Sequence, residues 1–319
     1  MAALLSRYAE CLFWMARYVE RAENQARLLD VTETFTRDQA GGQNWQSVVS
    51  LNADEERFFK QHGAATAESV VSFYLFDGDN PTSVFSAVRG ARENARSLRP
   101  LISTEMWTEL NIFYNRVMQL QQQPLALARL SQICREIKED CQTFTGIAEG
   151  TFYRGEGWCF HELGRYLERA DQATRLLDIK YHVLLPSSAE VGSAVDAGQW
   201  NALLRSAAGY HAFRQEHPSG MSPTLVADFL LFNDRFPRSV RLCVLQVHDL
   251  LHLLRTRHGL RGGVEASERL DEMLAAFNEY DIDRVIKEGL HEYLDYVQRQ
   301  LISITSSLAR DFFGQAEAA

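Results

Sequence analysis

Two short stretches of the chain carry the residues best suited to chemistry. RYVERAENQARLLD (17–30) and RYLERADQATRLLD (165–178) each hold an adjacent Glu-Arg pair, Glu20-Arg21 and Glu168-Arg169, behind a further arginine, Arg17 or Arg165. A guanidinium is a permanent cation with a planar fork of donors, matched to a carboxylate or a phosphate. A carboxylate is an acceptor or, if its pKa is tuned, an acid or base. A third stretch, ARENARSLR (91–99), places Arg92, Arg96 and Arg99 at spacings of four and three along one helical face. Like charges so spaced repel, so the strip invites an anion or an acidic surface. Asn94 and Glu105 stand beside it as further ligand or partner contacts. The bland alternative is a solvated face paired to Glu93, Glu105 or Glu109.

Other constellations fall short. His248 and His252 are four apart and could face one metal ion, but the pair lacks the Glu of HExxH. His161-Glu162 opens HExxR, so a zinc hydrolase fails at its second ligand. Cys159 and His161 are two apart, yet a reactive thiol needs an exposed electropositive setting. There is no Walker loop, no GxGxxG and no nucleophile elbow. The catalytic residues are left unassigned, and no metal site is expected.

The elements that must position these residues are helical. Met15, Val19, Ala22, Ala26 and Leu29 form one apolar stripe, and Leu163, Leu167, Ala170, Thr174 and Leu177 repeat it. No period-two segment appears. Residues 16–31 and 164–179 agree at nine of sixteen positions, and 72–88 matches 228–244 at seven of seventeen. The offset grows from 148 to 156 between them, which places an insertion in LLPSSAEVGSAVDAGQ (184–199), before Trp200, the counterpart of Trp45. The expectation is an all-α, tandemly duplicated bundle of roughly ten helices with pseudo-twofold symmetry. It forms one domain over 1–319, with repeats at about 1–150 and 151–319. Ser6 is read as capping the first helix, Asn80-Pro81 as opening another, Ser103 or Thr104 as opening the helix over 103–120, and SPTLVADFLLFND (222–234) as opening similarly. Arg261-Gly262-Gly263 reads as a loop before the last two helices, and the tail GQAEAA as frayed.

Composition sets outer bounds. With 319 residues and 46% hydrophobic content a core is readily built. A net charge of −9 argues against a general nucleic-acid binder. Five scattered cysteines without CxxC spacing read as buried free thiols of a reducing cytoplasm. Arg7 and Glu10 interrupt the apolar start, so it does not read as a secretory signal. No apolar run reaches the length of a membrane span.

A helical wheel of about 100° per residue turns Glu20 about 140° from the apolar stripe, to the polar side, and Arg21 about 240°. On that wheel Arg17 can pair with Glu20, and Glu23 with Arg27. Arg21 lies on a flank with Tyr18 and Leu28 without a partner of its own helix. A buried arginine needs an acceptor. One solution is reciprocal, with Arg21 on Glu168 and Arg169 on Glu20 across a pseudo-twofold axis. The other is a fork holding a ligand phosphate or carboxylate. Residues repeated in both halves most economically serve folding, so the reciprocal scheme is favoured. The strip, mainly a feature of the first half, becomes the better place to seek a ligand.

Taken together, LLSRYAECLFWMARYVERAEN (4–24), LFDGDNPTSV (75–84), ARENARSLRPLISTEMWTELN (91–111) and EGWCFHELGRYLERAD (156–171) resemble the alpha-E family of bacterial helical proteins, named for its Glu-Arg motif. The resemblance implies a partnership. Such proteins are encoded beside, or fused to, a circularly permuted ATP-grasp ligase, often with a transglutaminase-like protein and sometimes with a proteasome-like peptidase. It implies a non-ATP-binding subunit of an amide (peptide) ligase complex, in a heterodimer whose partner holds ATP and Mg2+, while this chain alone binds no cofactor. An independent amide hydrolase or transferase, and a purely structural scaffold, are the other readings.

Overall fold

The structure, a computed structural model, describes residues 4–38, 45–183 and 194–314. Most of the proposed insertion before Trp200, and the tail beyond Gly314, lie outside these residues. Among the described residues the regular structure is helical throughout. In chain order the helices are α1 (Ser6–Asp38), α2 (Gln46–Leu51), α3 (Glu55–Gln61), α4 (Ala67–Leu75), α5 (Val84–Ser97), α6 (Thr104–Gln121), α7 (Leu130–Thr151) and α8 (Glu156–Val183). They continue as α9 (Ala194–Ser206), α10 (Tyr210–Glu216), α11 (Pro223–Phe232), α12 (Val240–Thr256), α13 (Val264–Glu279), α14 (Ile282–Glu288) and α15 (Leu290–Phe312).

Among the described residues there are fifteen helices, against the roughly ten expected. The surplus comes from pieces of two turns or fewer, which hold too few apolar repeats to show a period. Two of the breaks are made by alanines. Ala53 separates α2 from α3 at φ 52°, and Ala208 separates α9 from α10 at φ 56°. Both sit in the left-handed region, where an L-residue is unusual. Three helices, not two, follow the Gly262-Gly263 turn, because α14 intervenes.

Serines set several helix starts. Ser83, Ser103, Ser222 and Ser239 each accept from the backbone N–H three residues on, at 3.1–3.2 Å. Asn80 is therefore not the cap of α5. Its Nδ2 donates to the Phe73 carbonyl at 3.1 Å and its Oδ1 accepts from Thr82 N–H at 3.0 Å, so Pro81 lies in a turn that leads to the Ser83 cap. The Ser83 hydroxyl also donates to the Asp77 carbonyl, and the Ser239 hydroxyl to that of Asn233.

α1 and α8 form the centre and lie against each other. Gly164 lets them approach: a Cβ there would overlap the Phe13 carbonyl oxygen and stand 2.9 Å from its carbon. Around this pair the partners come in matching sets. α1 packs on α5, α7 and α9, while α8 packs on α12, α15 and α2; α6 joins α5 to α7 as α13 joins α12 to α15. On the wheel Glu20 turns to the polar side of α1, away from its apolar stripe. In the fold neighbours surround the helix, and its charged flank is buried against α8.

Candidate functional site

A layer of charge lies between α1 and α8. Glu168, 1% exposed, accepts from Arg21 Nε at 2.7 Å, Arg21 Nη2 at 3.0 Å and Arg17 Nε at 2.7 Å. Glu20, 2% exposed, accepts from Arg169 Nε at 3.0 Å, Arg169 Nη2 at 2.8 Å and Arg238 Nη1 at 2.8 Å. Both pairs of the reciprocal scheme are thus formed. Arg17 does not pair with Glu20, because Glu168 of the facing helix lies within its reach. Its counterpart Arg165 turns to Glu162 and the Tyr166 hydroxyl. Glu23 is held by Arg27, as expected, and also by Arg238 at 2.6 Å. Arg238 lies outside the Glu-Arg helices, on the turn before α12. The sequence signal for it is weak: an arginine directly before a capping serine, where the first half has Thr82.

These pairings fix the protonation states. Burial by itself raises the Glu168 carboxyl, but the Arg21 and Arg17 guanidiniums outweigh it and hold the group at about 2. Burial likewise opposes Glu20, and Arg169 with Arg238 pulls it well below the carboxylate range. The Arg21 and Arg169 guanidiniums are raised by their carboxylates against the same burial. A carboxyl held this low is a poor proton acceptor near neutral pH. The layer is built to hold charge in place, not to move protons.

The two sides of the layer differ in filling. On the Glu168 side a cleft of about 320 Å³ opens, lined by Arg17, Arg21, Arg175, Gln25, Thr82 and Ile302 among others. Arg175 is held by Asp171 at 2.8 Å and donates to the Leu51 carbonyl at 2.8 Å. Gln25 is buried, donates to the Thr82 carbonyl at 3.3 Å, and has its Oε1 without a hydrogen-bond partner.

The arginine strip lies elsewhere, and none of Arg92, Asn94, Arg96, Arg99 and Glu105 lines this cleft. Arg92 donates to Asn111 Oδ1 at 2.8 Å and stacks over Tyr114, 4.8 Å from the ring centre. Arg99 covers Trp107 at 5.4 Å. Arg96, 71% exposed, reaches Glu93 at 3.6 Å. Asn94 is half-buried and Glu105 is exposed. The strip is a face of stacked and solvated cations. Glu93, not Glu105 or Glu109, takes its ion pairs.

The remaining candidates are spoken for. Burial pushes the Cys159 thiol up to about 11 against the opposing charge of Arg257, so it is no thiolate near neutral pH. His161 Nδ1 lies 3.0 Å from Glu162, which is taken by Arg165. His248 bridges Asp249 at 3.4 Å and Asp271 at 3.3 Å. Among the described residues no three His, Cys, Asp or Glu side chains gather as they would around a metal ion. Among them, too, no helix is long and apolar enough to cross a membrane.

Two Glu-Arg pairs therefore sit at the structural centre of the molecule. A family described as "a predicted alpha-helical domain with a conserved ER motif" matches residues 4–313. The chain belongs to the Alpha-E family. Among its curated relatives are uncharacterized proteins of Mycobacterium bovis and Mycobacterium tuberculosis, each 26% identical over 306 residues, covering 89% of this chain and 34% of the relative. This Alpha-E chain thus spans about a third of the length of the curated relatives it matches. No solved structure matches it.

Proposed function

We propose that this Alpha-E protein is the non-ATP-binding subunit of an ATP-grasp-type amide ligase complex, supporting ATP-dependent joining of a carboxylate to an amine in a peptide-synthesis or peptide-tagging pathway. The observation that carries the reading is the central charge layer. Its carboxylates are locked as anions by arginines, and the thiols beside it are buried, so the chain offers a rigid scaffold in place of a proton-transfer apparatus. ATP and Mg2+ belong to the ligase partner, in a cytoplasmic heterodimer, with a transglutaminase-like protein as a further associate. The length of the mycobacterial relatives supports this: two thirds of each chain lies outside the matched part, room for a fused partner domain. The matching helix sets, the paired alanine breaks and the two serine-capped turns support a tandem duplication with pseudo-twofold symmetry.

Co-expression with the ATP-grasp protein tests the proposal. The two are expected to co-purify, and ligase turnover to fall when this chain is withheld. Full ligase activity in its absence would sink the reading. Turnover of an amide substrate by the purified chain alone would establish the independent hydrolase or transferase instead.

A further inference from the structure

The two ends of the charge layer are built from corresponding residues and yet are filled differently. Glu20, Asn24, Glu23 and Arg27 on α1 correspond to Glu168, Gln172, Asp171 and Arg175 on α8 at one offset. Thr82 and Arg238 correspond as well, each directly before the capping serine of α5 or α12. Arg238 reaches into its end and donates to Glu20 at 2.8 Å and to Glu23 at 2.6 Å. Thr82 stops short, its hydroxyl committed to Asp54 at 2.9 Å and to Asn80 at 2.6 Å. The volume that a long cationic side chain occupies at one end is the cleft of about 320 Å³ at the other.

What borders that cleft is a surplus of donors. From the two arginines Glu168 takes the Nε of Arg17, and Nε with one terminal nitrogen of Arg21, beside a longer bond at 3.4 Å from Gln172 Nε2. Both terminal nitrogens of Arg17 and the Nη1 of Arg21 donate to no acceptor among the described residues. The side chains of Arg17 and Arg21 are 13% and 17% exposed, so they are reachable and still largely dry. The carboxylates that could compete, Glu168 and Asp171, are already engaged. Three arginines against two acids leave one unneutralised positive charge around the cleft. Beside it stands Gln25, whose buried amide oxygen lacks a donor, and the lip is formed by exposed Ile302 of α15.

We propose that this cleft is a binding site for the oxyanion group, carboxylate or phosphate, of a small molecule, held by the free guanidinium nitrogens of Arg17 and Arg21. Forked donors and a partly desolvated setting suit such a group. The volume lies at the small end of ligand pockets and fits a compact ligand. Thr82 is the determinant, since an arginine at its place closes the corresponding end of the layer. The site stands on the isolated chain, independently of any ligase partner.

The test is ligand-dependent thermal stability and equilibrium titration of the purified full chain at matched ionic strength. The probes are inorganic phosphate and N-acetylglycine, with sodium chloride as reference. The wild type is expected to show a saturating rise in Tm with at least one probe. A response to phosphate alone assigns a phosphate, to N-acetylglycine alone a carboxylate, and to both an oxyanion site without preference. Thr82→Arg fills the cleft, and Arg17→Gln removes donors while leaving Arg21 on Glu168. Each is expected to weaken binding by about tenfold or more, Thr82→Arg by occupying the space of the ligand and Arg17→Gln by the loss of one charge-assisted hydrogen bond. Lys60→Gln, which removes an exposed charge outside the cleft, is expected to bind as the wild type does. Should Thr82→Arg not fold, Arg17→Gln decides. The proposal is overturned if neither probe exceeds chloride, if the folded cleft variants bind as tightly as the wild type, or if Lys60→Gln loses as much as they do.

Discussion

Replacing Glu168 with Gln removes the charge that two guanidiniums share, and the same change at Glu20 does so at the other end of the layer. Breaking a buried ion pair from one side costs about 3–5 kcal/mol, because the partner is left charged and unpaired. The surroundings decide where in that range each variant falls. Arg17 and Arg21 border the cleft, where water can take up the donors that Glu168 released. Arg169, 9% exposed, has less access, and Arg238 stays wedged between Glu20 and Glu23. Glu168→Gln is therefore expected to cost about 3 kcal/mol and Glu20→Gln about 5 kcal/mol. Linkage gives the same size for Glu168: moving a carboxyl from about 4.3 unfolded to about 2 folded corresponds to about 3 kcal/mol. The sign follows from the lowered folded value. The contribution is present above pH ~4.3 and is lost as pH falls toward 2. Thermal and denaturant unfolding, followed by circular dichroism from pH 7 to 2.5, measures both effects. At about 2 °C per kcal/mol the variants lose about 6 °C and 10 °C in Tm. Glu168→Gln should also flatten the wild-type loss of stability below pH 4. If Glu168→Gln costs as much as Glu20→Gln, the cleft does not rehydrate its arginines. If both cost under about 1 kcal/mol, the layer is not a set of buried pairs at all.

Gly164→Ala places a methyl against the Phe13 carbonyl at the α1–α8 crossing and is expected to cost about 2–3 kcal/mol, read as a lower midpoint in urea. An unchanged midpoint would mean the helices cross elsewhere. Burial raises Asp140 to about 6 against the pull of Arg116, and one of its oxygens has no partner. A folded value above the unfolded one means that this group's stabilisation is complete below pH ~3.9 and is lost as pH rises through 6. Asp140→Asn should remove that loss and leave stability at pH 7 equal to or above wild type; a clear drop at pH 7 would show that the Arg116 pair dominates. Four of the five thiols are buried, and burial lifts Cys243 to about 12. Ellman's reagent at pH 8 should therefore find no thiol faster than half-buried Cys11, and all five only after denaturation.

Much of the central pair was legible before the fold was known. The stripes of Met15 to Leu29 and Leu163 to Leu177 define α1 and α8, since a long amphipathic period leaves many matched positions to read. The partial burial of Arg21 is legible too, from aromatic and aliphatic neighbours on its flank and the absence of a local carboxylate. Other features left no local trace. α2, α3, α10 and α14 are too short for a period to emerge, and the alanine breaks at 53 and 208 depend on a backbone conformation that alanine does not announce. A wheel contains one helix only, so on it Glu20 is the carboxylate within reach of Arg17, and Glu168 of the facing helix is invisible. Arg238 looked like an ordinary turn residue, and its two carboxylate partners are more than two hundred residues away in sequence.

The sequence by itself determined the helical class, the repeated Glu-Arg helices and the need for Arg21 to find an acceptor from elsewhere in the chain, since periodicity and charge burial act within one helix. Tertiary structure alone decided which end of the charge layer is closed and which is open. That outcome rests on the reach of one side chain, Arg238 or Thr82, across a gap between helices. No local pattern records such a distance.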